Sequence, residues 1–172
     1  MSESQQAATL IRHRNLEVDT WKRFEPTETR PLPADDEDWL VPLSVWRSAR
    51  AELRGRRRPV GVLLGPADDP AELAEEGRID PTGLALIAVD FPIYTDGRGY
   101  SIAYLLRTRL GWQGELRAVG DVMIDTVHYQ ARSGFDSFAI KPGHDPEQAL
   151  RAFGTFTAAY QQSYPVPAAR QG

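Results

Sequence analysis

Residues 84–121, LALIAVDFPIYTDGRGYSIAYLLRTRLGWQGELRAVGD, contain the pattern that decides the fold. The first eight residues are apolar and include β-branched side chains, as expected of a strand that is buried on both faces. A turn with two glycines follows, and then apolar residues recur along one helical stripe until Gly111. A second apolar run occupies residues 116–119. The stretch therefore predicts a βαβ unit.

Two further apolar runs, Val60–Leu64 and Ser137–Ile140, predict strands on either side of this unit. Helical or turn-rich segments separate the four runs, which is typical of a parallel sheet with right-handed crossovers. We therefore predict an α/β fold whose largely parallel sheet is built from βα units. Both an open sandwich and a partial TIM-barrel-like arrangement agree with this pattern.

The N-terminal region predicts an extension of the sheet. Residues 9–24 contain two short apolar runs on either side of Arg14 and Asn15, as in a β-hairpin or a pair of edge strands. Residues 25–38 are rich in proline and acidic side chains and predict a linker or a long surface loop. The sheet edges of such a fold must be covered, and a homodimer could cover them.

Turn and cap signals place the helices. Ser44 is the expected N-cap of the first helix, and Asp69 is the expected cap of a short helical turn. Residues 124–133 predict another helix, which ends at Gly134 in a Schellman-like cap. The final helix is expected at residues 147–160.

Length and composition limit the function. A chain of 172 residues is long enough for one domain, and we expect a disordered tail at residues 1–8, a single α/β domain at residues 9–162 and a flexible tail at residues 163–172. The net charge of −4 argues against nucleic-acid binding, which requires a clustered basic surface. No apolar segment approaches the ~20 residues of a membrane span, and no basic start with an apolar run marks a secretory leader. We therefore expect a cytoplasmic protein without a membrane partner.

The chain contains no cysteine, which excludes several kinds of redox centre. Iron–sulfur clusters held by thiolates, cysteine nucleophiles and cysteine-based zinc sites all need this residue. A redox role would therefore require an organic cofactor or a partner protein.

Residues 91–138, with TDGRGYS at 95–101 and GELRAVGDV at 114–122, resemble the bacterial domain of unknown function family 934. The resemblance extends over about residues 10–160. Members of this family are commonly encoded beside assimilatory sulfite reductase and are often described as oxidoreductases of sulfite reduction. The resemblance implies a context in sulfur assimilation, with no established reaction and no established catalytic residues. Because the chain lacks the thiolates that usually hold the metal centres of sulfite reductase, it is not the reductase subunit itself.

We expect the functional site at the carboxyl ends of the strands, where open parallel sheets bind their ligands. Backbone N–H groups at the start of the glycine-flanked helix, together with Arg98, could bind sulfite, sulfate, a phosphate group or a partner's carboxylate. Arg117 or Lys141 would approach from neighbouring units. The predicted anion- or partner-binding residues are Asp96, Gly97, Arg98, Gly99, Ser101, Arg117, Asp121 and Asp125.

The same residues have two other interpretations. In a purely structural role, Asp96 would cap the helix and Arg98 would pair with Asp121, which would lock two turns together. In a dinucleotide site, residues 97–102 would form a Gly-x-Gly-x-x-Ile turn between strand and helix, with Asp121 near the ribose. Ile102 stands where the third glycine of that motif would be.

Asp121, Asp125 and His128 recur at helical spacing and resemble part of a carboxylate–imidazole metal site. One helix cannot close such a site, so we interpret the residues as a helix cap with a partly exposed imidazole and predict no metal. Arg50 and the arginines at 54–58 form a basic cluster. That cluster would either bind an acidic partner or complement the dipole of its own helix.

No nucleophile elbow, Walker loop, zinc spacing or kinase signature occurs, so enzyme, accessory module and scaffold all remain open. Our main hypothesis is an accessory protein of assimilatory sulfate or sulfite reduction. It would bind a partner, such as the sulfite reductase subunit, and a small anion at the strand ends. The alternative is a small oxidoreductase of the same pathway with a nicotinamide or flavin cofactor. The sequence assigns neither cofactor nor catalytic residues.

Overall fold

A computed structural model describes residues 9–156 of the chain, with side chains described to residue 151. Eight strands in this part form one sheet, which curls into a half-barrel. Their bounds are β1 Thr9–Arg12, β2 Asn15–Val18, β3 Lys22–Arg23, β4 Trp39–Pro42, β5 Val60–Leu64, β6 Leu84–Phe91, β7 Glu115–Gly120 and β8 Ser137–Ile140. The predicted tails at residues 1–8 and 163–172 lie outside the described residues.

Helices connect the strands of the sheet. Those in the described part are α1 Leu43–Arg54, α2 Arg98–Thr108, α3 Val127–Arg132 and α4 Pro146–Phe156, with short 3-10 helices at Pro70–Leu73 and Ile124–Thr126. Between residues 9 and 156, every helix is too short or too polar to cross a membrane.

The strand order is β2-β1-β8-β7-β6-β5-β4-β3. Neighbouring strands from β3 to β8 run parallel, and this includes the β6–β7 pair of the predicted βαβ unit. β1 runs antiparallel to both β2 and β8, so the sheet is mixed and the prediction of a largely parallel sheet is wrong in this respect. The physical reason is the predicted N-terminal hairpin, which pairs with β8 instead of remaining a separate extension. The curl of the sheet agrees with a partial barrel better than with an open sandwich.

The hairpin turn follows from local backbone geometry. Arg12 pairs with Asn15, which leaves a two-residue loop between the strands. Both loop residues, His13 and Arg14, have positive φ angles, 51° and 63°. Positive φ at both central positions produces the twist that suits a two-residue hairpin.

Most of the cap predictions are confirmed. Asp69 accepts a hydrogen bond from the Ala71 N–H at 2.9 Å, ahead of Pro70 in the first helical turn. Gly134 has a φ of 112°, and the N–H of Phe135 donates to the carbonyl of Gln130 at 3.2 Å, as in a Schellman cap.

Two boundaries differ from the prediction, and a third lies beyond the described residues. Ser44 is not the N-cap of α1, because the helix begins two residues earlier than that cap implies, at Leu43, directly after Pro42, whose φ of −59° suits a helix start. Residues 124–133 form a 3-10 turn followed by α3 rather than one continuous helix. The last helix is described to Phe156, and the predicted continuation over 157–160 lies outside the described residues.

The two faces of the sheet are covered in different ways. All four helices contribute buried side chains to one large apolar cluster, which includes Trp46, Leu106, Ala131 and Ala149. The other face carries a small cluster of Leu40, Leu86, Ala88 and Val119, with Trp21 packed against it. Trp21 belongs to the N-terminal segment, which we define as residues 9–24 with β1, β2 and β3. This segment therefore covers the face that has no helix in the described part of the chain.

A buried charge network fastens the N-terminal segment to this second face. Arg117 of β7 is only 1% exposed, and its guanidinium donates to Asp19 at 2.9 Å, to Glu115 at 2.7 Å and to the Ser137 hydroxyl at 3.2 Å. Burial raises the pKa of Glu115, but the charge and hydrogen bond of Arg117, together with the Ser137 hydroxyl and the charge of Arg12, outweigh it and leave that pKa below its usual value. Each polar group of this network therefore has a partner that offsets its loss of water.

The arginines of the basic cluster bind carboxylate and carbonyl groups of the chain itself. Arg54 pairs with Glu75 at 2.7 Å, and Arg58 pairs with Asp38 at 3.4 Å. The Arg56 guanidinium donates to the Ala34 carbonyl at 2.7 Å, and the N–H of Arg58 donates to Asp35 at 3.0 Å. The cluster therefore holds the acidic loop at residues 25–38 against the domain, a role that neither interpretation from the sequence included.

We predict that Arg117→Met destabilises the fold by about 3–5 kcal/mol, because it leaves the carboxylates of Asp19 and Glu115 without their shielded cation. Arg109→Met, at an exposed arginine, should change the unfolding free energy by less than about 0.5 kcal/mol. Chemical denaturation of both variants measures the difference. Equal stability of the two would show that the Arg117 network does not hold the second face.

Candidate functional site

We define the rim as the three loops that follow the parallel strands β6, β7 and β8, at residues 92–97, 121–126 and 141–145. The carboxylate of Asp121 joins all three. It accepts from the backbone N–H of Tyr94 at 2.9 Å and pairs with Lys141 at 2.8 Å. The Lys141 hydrogen bond, followed by that of Tyr94, lowers the pKa of Asp121 below its ordinary value. Asp121 is therefore a structural anchor that stays ionised at neutral pH.

The turn before α2 is held by its own charge pair. Arg98 donates to Asp96 through Nε at 3.0 Å and through Nη2 at 2.7 Å, and the backbone N–H of Arg98 donates to the same carboxylate at 3.0 Å. These bonds lower the pKa of Asp96 to about 2. Asp96 thus binds the first N–H of α2 from the residue before the N-cap, which is Gly97, so the predicted capping role is met in a modified form. The expected pair between Arg98 and Asp121 does not form, because each group has a nearer partner.

The structure brings only some of the predicted site residues together. Asp96 and Gly97 lie in one rim loop, Arg98 is the first residue of α2 directly after it, and Asp121 binds that loop through Tyr94. Arg117 lies apart, because its side chain is buried on the second face of the sheet. The expectation that Arg117 approaches an anion at the strand ends is therefore wrong. Ser101 is exposed on α2, and Asp125 is exposed in the 3-10 turn after β7.

The glycines of the turn have different environments. A Cβ on Gly99 would lie 2.5 Å from the ring of Phe91, whereas a Cβ on Gly97 would meet nothing within 4 Å. Gly99 therefore lets α2 pack closely on the end of β6. Asp121, which would contact the ribose in a dinucleotide site, is already bound to Tyr94 and Lys141. This geometry does not favour the dinucleotide interpretation.

No metal-ligand cluster of three His, Cys, Asp or Glu side chains exists within residues 9–156. Asp121 is bound to Lys141, and Asp125 lies in the next turn. The ring of His128 lies on that of Tyr129, with centroids 3.9 Å apart. Partial burial, with the nearby charge of Arg132, lowers the pKa of His128. The three residues share one region without converging on one point.

Sequence reasoning missed an exposed aromatic surface beside the rim, which we define as Ile93, Tyr94, Tyr104 and Tyr129. These side chains are 58%, 47%, 49% and 54% exposed. Tyr100 packs against the core, with its ring 5.5 Å from that of Phe91, and burial and the nearby Tyr129 raise its pKa. A sequence signal existed, since the tyrosines at 100 and 104 are one helical turn apart and lie off the apolar stripe of α2.

A second missed contact joins the first strands to the rim. Arg23 of β3 donates to Asp90, near the end of β6, at 3.1 Å. Gly120 is required at this point, because a Cβ there would lie 2.4 Å from the Asp90 carboxylate. Sixty-seven residues separate Arg23 from Asp90, so no local pattern could have indicated the pair.

The family described as "Bacterial protein of unknown function (DUF934)" matches residues 61–169 of the chain. This range includes all of the rim and almost all of the four central strands of the sheet, β5 to β8. No match is found among curated proteins or among solved structures.

We predict that Gly99→Ala destabilises the fold by about 1–3 kcal/mol, because the added methyl group would force the Phe91 ring or α2 to move. Gly97→Ala is the matched control and should be close to neutral, since its space is open and its φ is −77°. Thermal unfolding of both variants provides the comparison. A neutral Gly99→Ala would show that close packing is not what this glycine provides.

Proposed function

The chain belongs to this family of bacterial proteins of unknown function, and we propose that it is a partner-binding accessory protein of assimilatory sulfate or sulfite reduction. The pathway comes from the resemblance of residues 91–138 to proteins encoded beside sulfite reductase. The sulfite reductase subunit is the proposed partner. The single observation that supports the binding role is the aromatic surface.

Large exposed apolar side chains need an explanation when they group on neighbouring elements, whereas scattered ones do not. Tyr129 lies close to Tyr100, and Tyr104 follows Tyr100 by one helical turn. Tyrosine is enriched at the centres of protein interfaces, where it contributes a large contact area at a small cost in side-chain entropy. Two of the four residues lie on the rim loop, and the others lie on α2 and α3. Asp121 and the Schellman cap at Gly134 hold these elements in place, so the surface is formed before a partner arrives.

The charges of the rim support binding more than catalysis. Arg98, Lys141 and Arg23 pair with Asp96, Asp121 and Asp90. Arg98 is nevertheless 63% exposed, so its remaining N–H groups could contact a carboxylate of the partner, or a small anion such as sulfite, above the start of α2. We assign this contact to the edge of the interface.

The alternative function, a small oxidoreductase with a nicotinamide or flavin cofactor, makes a different prediction. A flavoprotein purified from its natural host would absorb visible light, and a nicotinamide enzyme would bind the cofactor in a direct titration. The accessory role requires neither property.

Deletion of the gene should slow growth on sulfate or sulfite and leave growth on cysteine unchanged, because only the first two sources depend on sulfite reduction. Growth rates on the three sources test this prediction. Equal growth of mutant and parent on all three would count against the pathway.

The double variant Tyr104→Ala/Tyr129→Ala should bind sulfite reductase on the order of ten-fold more weakly, because it removes two exposed anchors of the aromatic surface. Val18→Ala, an exposed apolar position on β2, is the matched control and should bind like the natural chain. Titration of purified sulfite reductase from the same organism gives both dissociation constants. Equal weakening of sulfite reductase binding in both variants, or no weakening in either, would show that sulfite reductase does not bind this surface.

A further inference from the structure

A cleft with a volume of about 370 Å³ lies at the end of the strands opposite the rim. Residues 78–81, which precede β6, form one wall, and residues 111–114, which precede β7, form the other. Its size is at the lower end of the range for small-molecule sites. The cleft shares no residue with the rim or with the aromatic surface.

Both walls of the cleft are fixed in place. The N–H of Ile79 donates to the carbonyl of Leu110 at 3.0 Å, which joins one wall to the other. On the far side, the Arg107 guanidinium donates to the carbonyls of Trp112 at 3.0 Å and Gly114 at 2.8 Å. Arg107 is itself held by Asp136 at 2.6 Å. The loop at 111–114 therefore has one defined conformation.

This arrangement directs a backbone donor away from Arg107. The peptide bonds of the described residues are all trans, and in a trans peptide the C=O and the N–H point in opposite directions. Because the Trp112 carbonyl points toward Arg107, the N–H of Gln113 points away from it. That N–H has no hydrogen-bond partner within the described part of the chain. Gln113 lines the cleft together with Arg78, so an acceptor bound there could reach both groups.

Arg78 supplies the positive charge of the cleft. A Cβ on Gly111 would lie 2.9 Å from Nη2 of Arg78, so the guanidinium rests over this glycine. Gly111 has a φ of 70°, a backbone conformation that favours glycine. Because glycine has no side chain, the space stays open for the guanidinium. Among residues 9–156, no carboxylate lies within ion-pair distance of Arg78. Its charge is thus available to a ligand.

The floor of the cleft is apolar. Ile79 and Trp112 are 6% and 2% exposed, and Pro81 borders them. The indole N–H of Trp112 is satisfied by the carbonyl of Glu115 at 3.1 Å, so the buried ring leaves no unpaired donor, and the exposed Pro81 provides the apolar surface that a ligand can reach. A ligand that fits must combine an acceptor group with an apolar body.

We propose that this cleft binds a small organic oxyanion, with a carboxylate or phosphate group on Arg78 and the Gln113 N–H and a flat apolar body against Pro81, beside Ile79 and Trp112. Bidentate donation by an arginine suits both kinds of oxyanion. The site is independent of the proposed partner function, because it lies at the other end of the strands.

Titration with phenyl phosphate, benzoate, inorganic phosphate and phenol, followed by amide and indole NMR shifts, tests the site. Phenyl phosphate or benzoate should shift the Gln113 amide and the Trp112 indole at lower concentration than inorganic phosphate or phenol. Tighter binding of phenyl phosphate than of benzoate would identify a phosphate as the preferred group, and the reverse order would identify a carboxylate. No shift at these positions with any probe, or equal shifts with phenol, would overturn the proposal.

Arg78→Met should weaken binding of the better probe at least ten-fold and leave thermal unfolding unchanged, because the side chain is exposed and supports no other group. Arg109→Met, which removes an exposed arginine outside the lining of the cleft, is the matched control and should bind like the natural chain. Equal affinities of the two variants would show that the anion does not contact Arg78.

Discussion

The contact of Arg117 with Asp19, Glu115 and Ser137 is the constraint on which the covering of the sheet depends. Consecutive parallel strands with right-handed crossovers place their helices on one face, and the opposite face needs another cover. Here the N-terminal segment provides it, with Trp21 over the small apolar cluster and Asp19 on the buried guanidinium. Removal of the positive charge would affect both the segment and the strands beneath it, because the two carboxylates would remain in a shielded environment.

At the rim, charged side chains pair with one another, so their presence does not by itself indicate a ligand site. Lys141 and Arg98 neutralise neighbouring carboxylates, and Gly99 and Gly120 beside the rim allow close packing, so most of these groups are used within the fold. The exposed features of the rim are instead aromatic. Such a surface is suited to contact with another protein, which gains more from large rigid side chains than from charges that are already paired.

The two ends of the parallel strands carry different chemistry as a result. The carboxyl ends hold the rim and the aromatic surface, and the amino ends hold a cleft with an arginine and a backbone donor. A protein-binding surface and a small-molecule site can therefore coexist on one domain without sharing residues. A ligand in the cleft would contact the loop at residues 111–114, which Arg107 holds. Arg107 also binds the Gly134 carbonyl after α3. Tyr129 of α3 belongs to the aromatic surface.

The sequence by itself determined the α/β class, the bounds of β5, β6 and β8, the parallel β6–β7 pair, the hairpin and the caps at Asp69 and Gly134. These features depend on neighbours within a few residues, where apolar periodicity and turn chemistry act directly. Only the tertiary structure decided that β1 joins β8, that Arg117 is buried on the second face and that Asp121 binds Lys141 rather than Arg98. Those outcomes depend on which of several chemically equivalent partners lies nearest after the chain has folded, and spacing along a single sequence does not contain that distance.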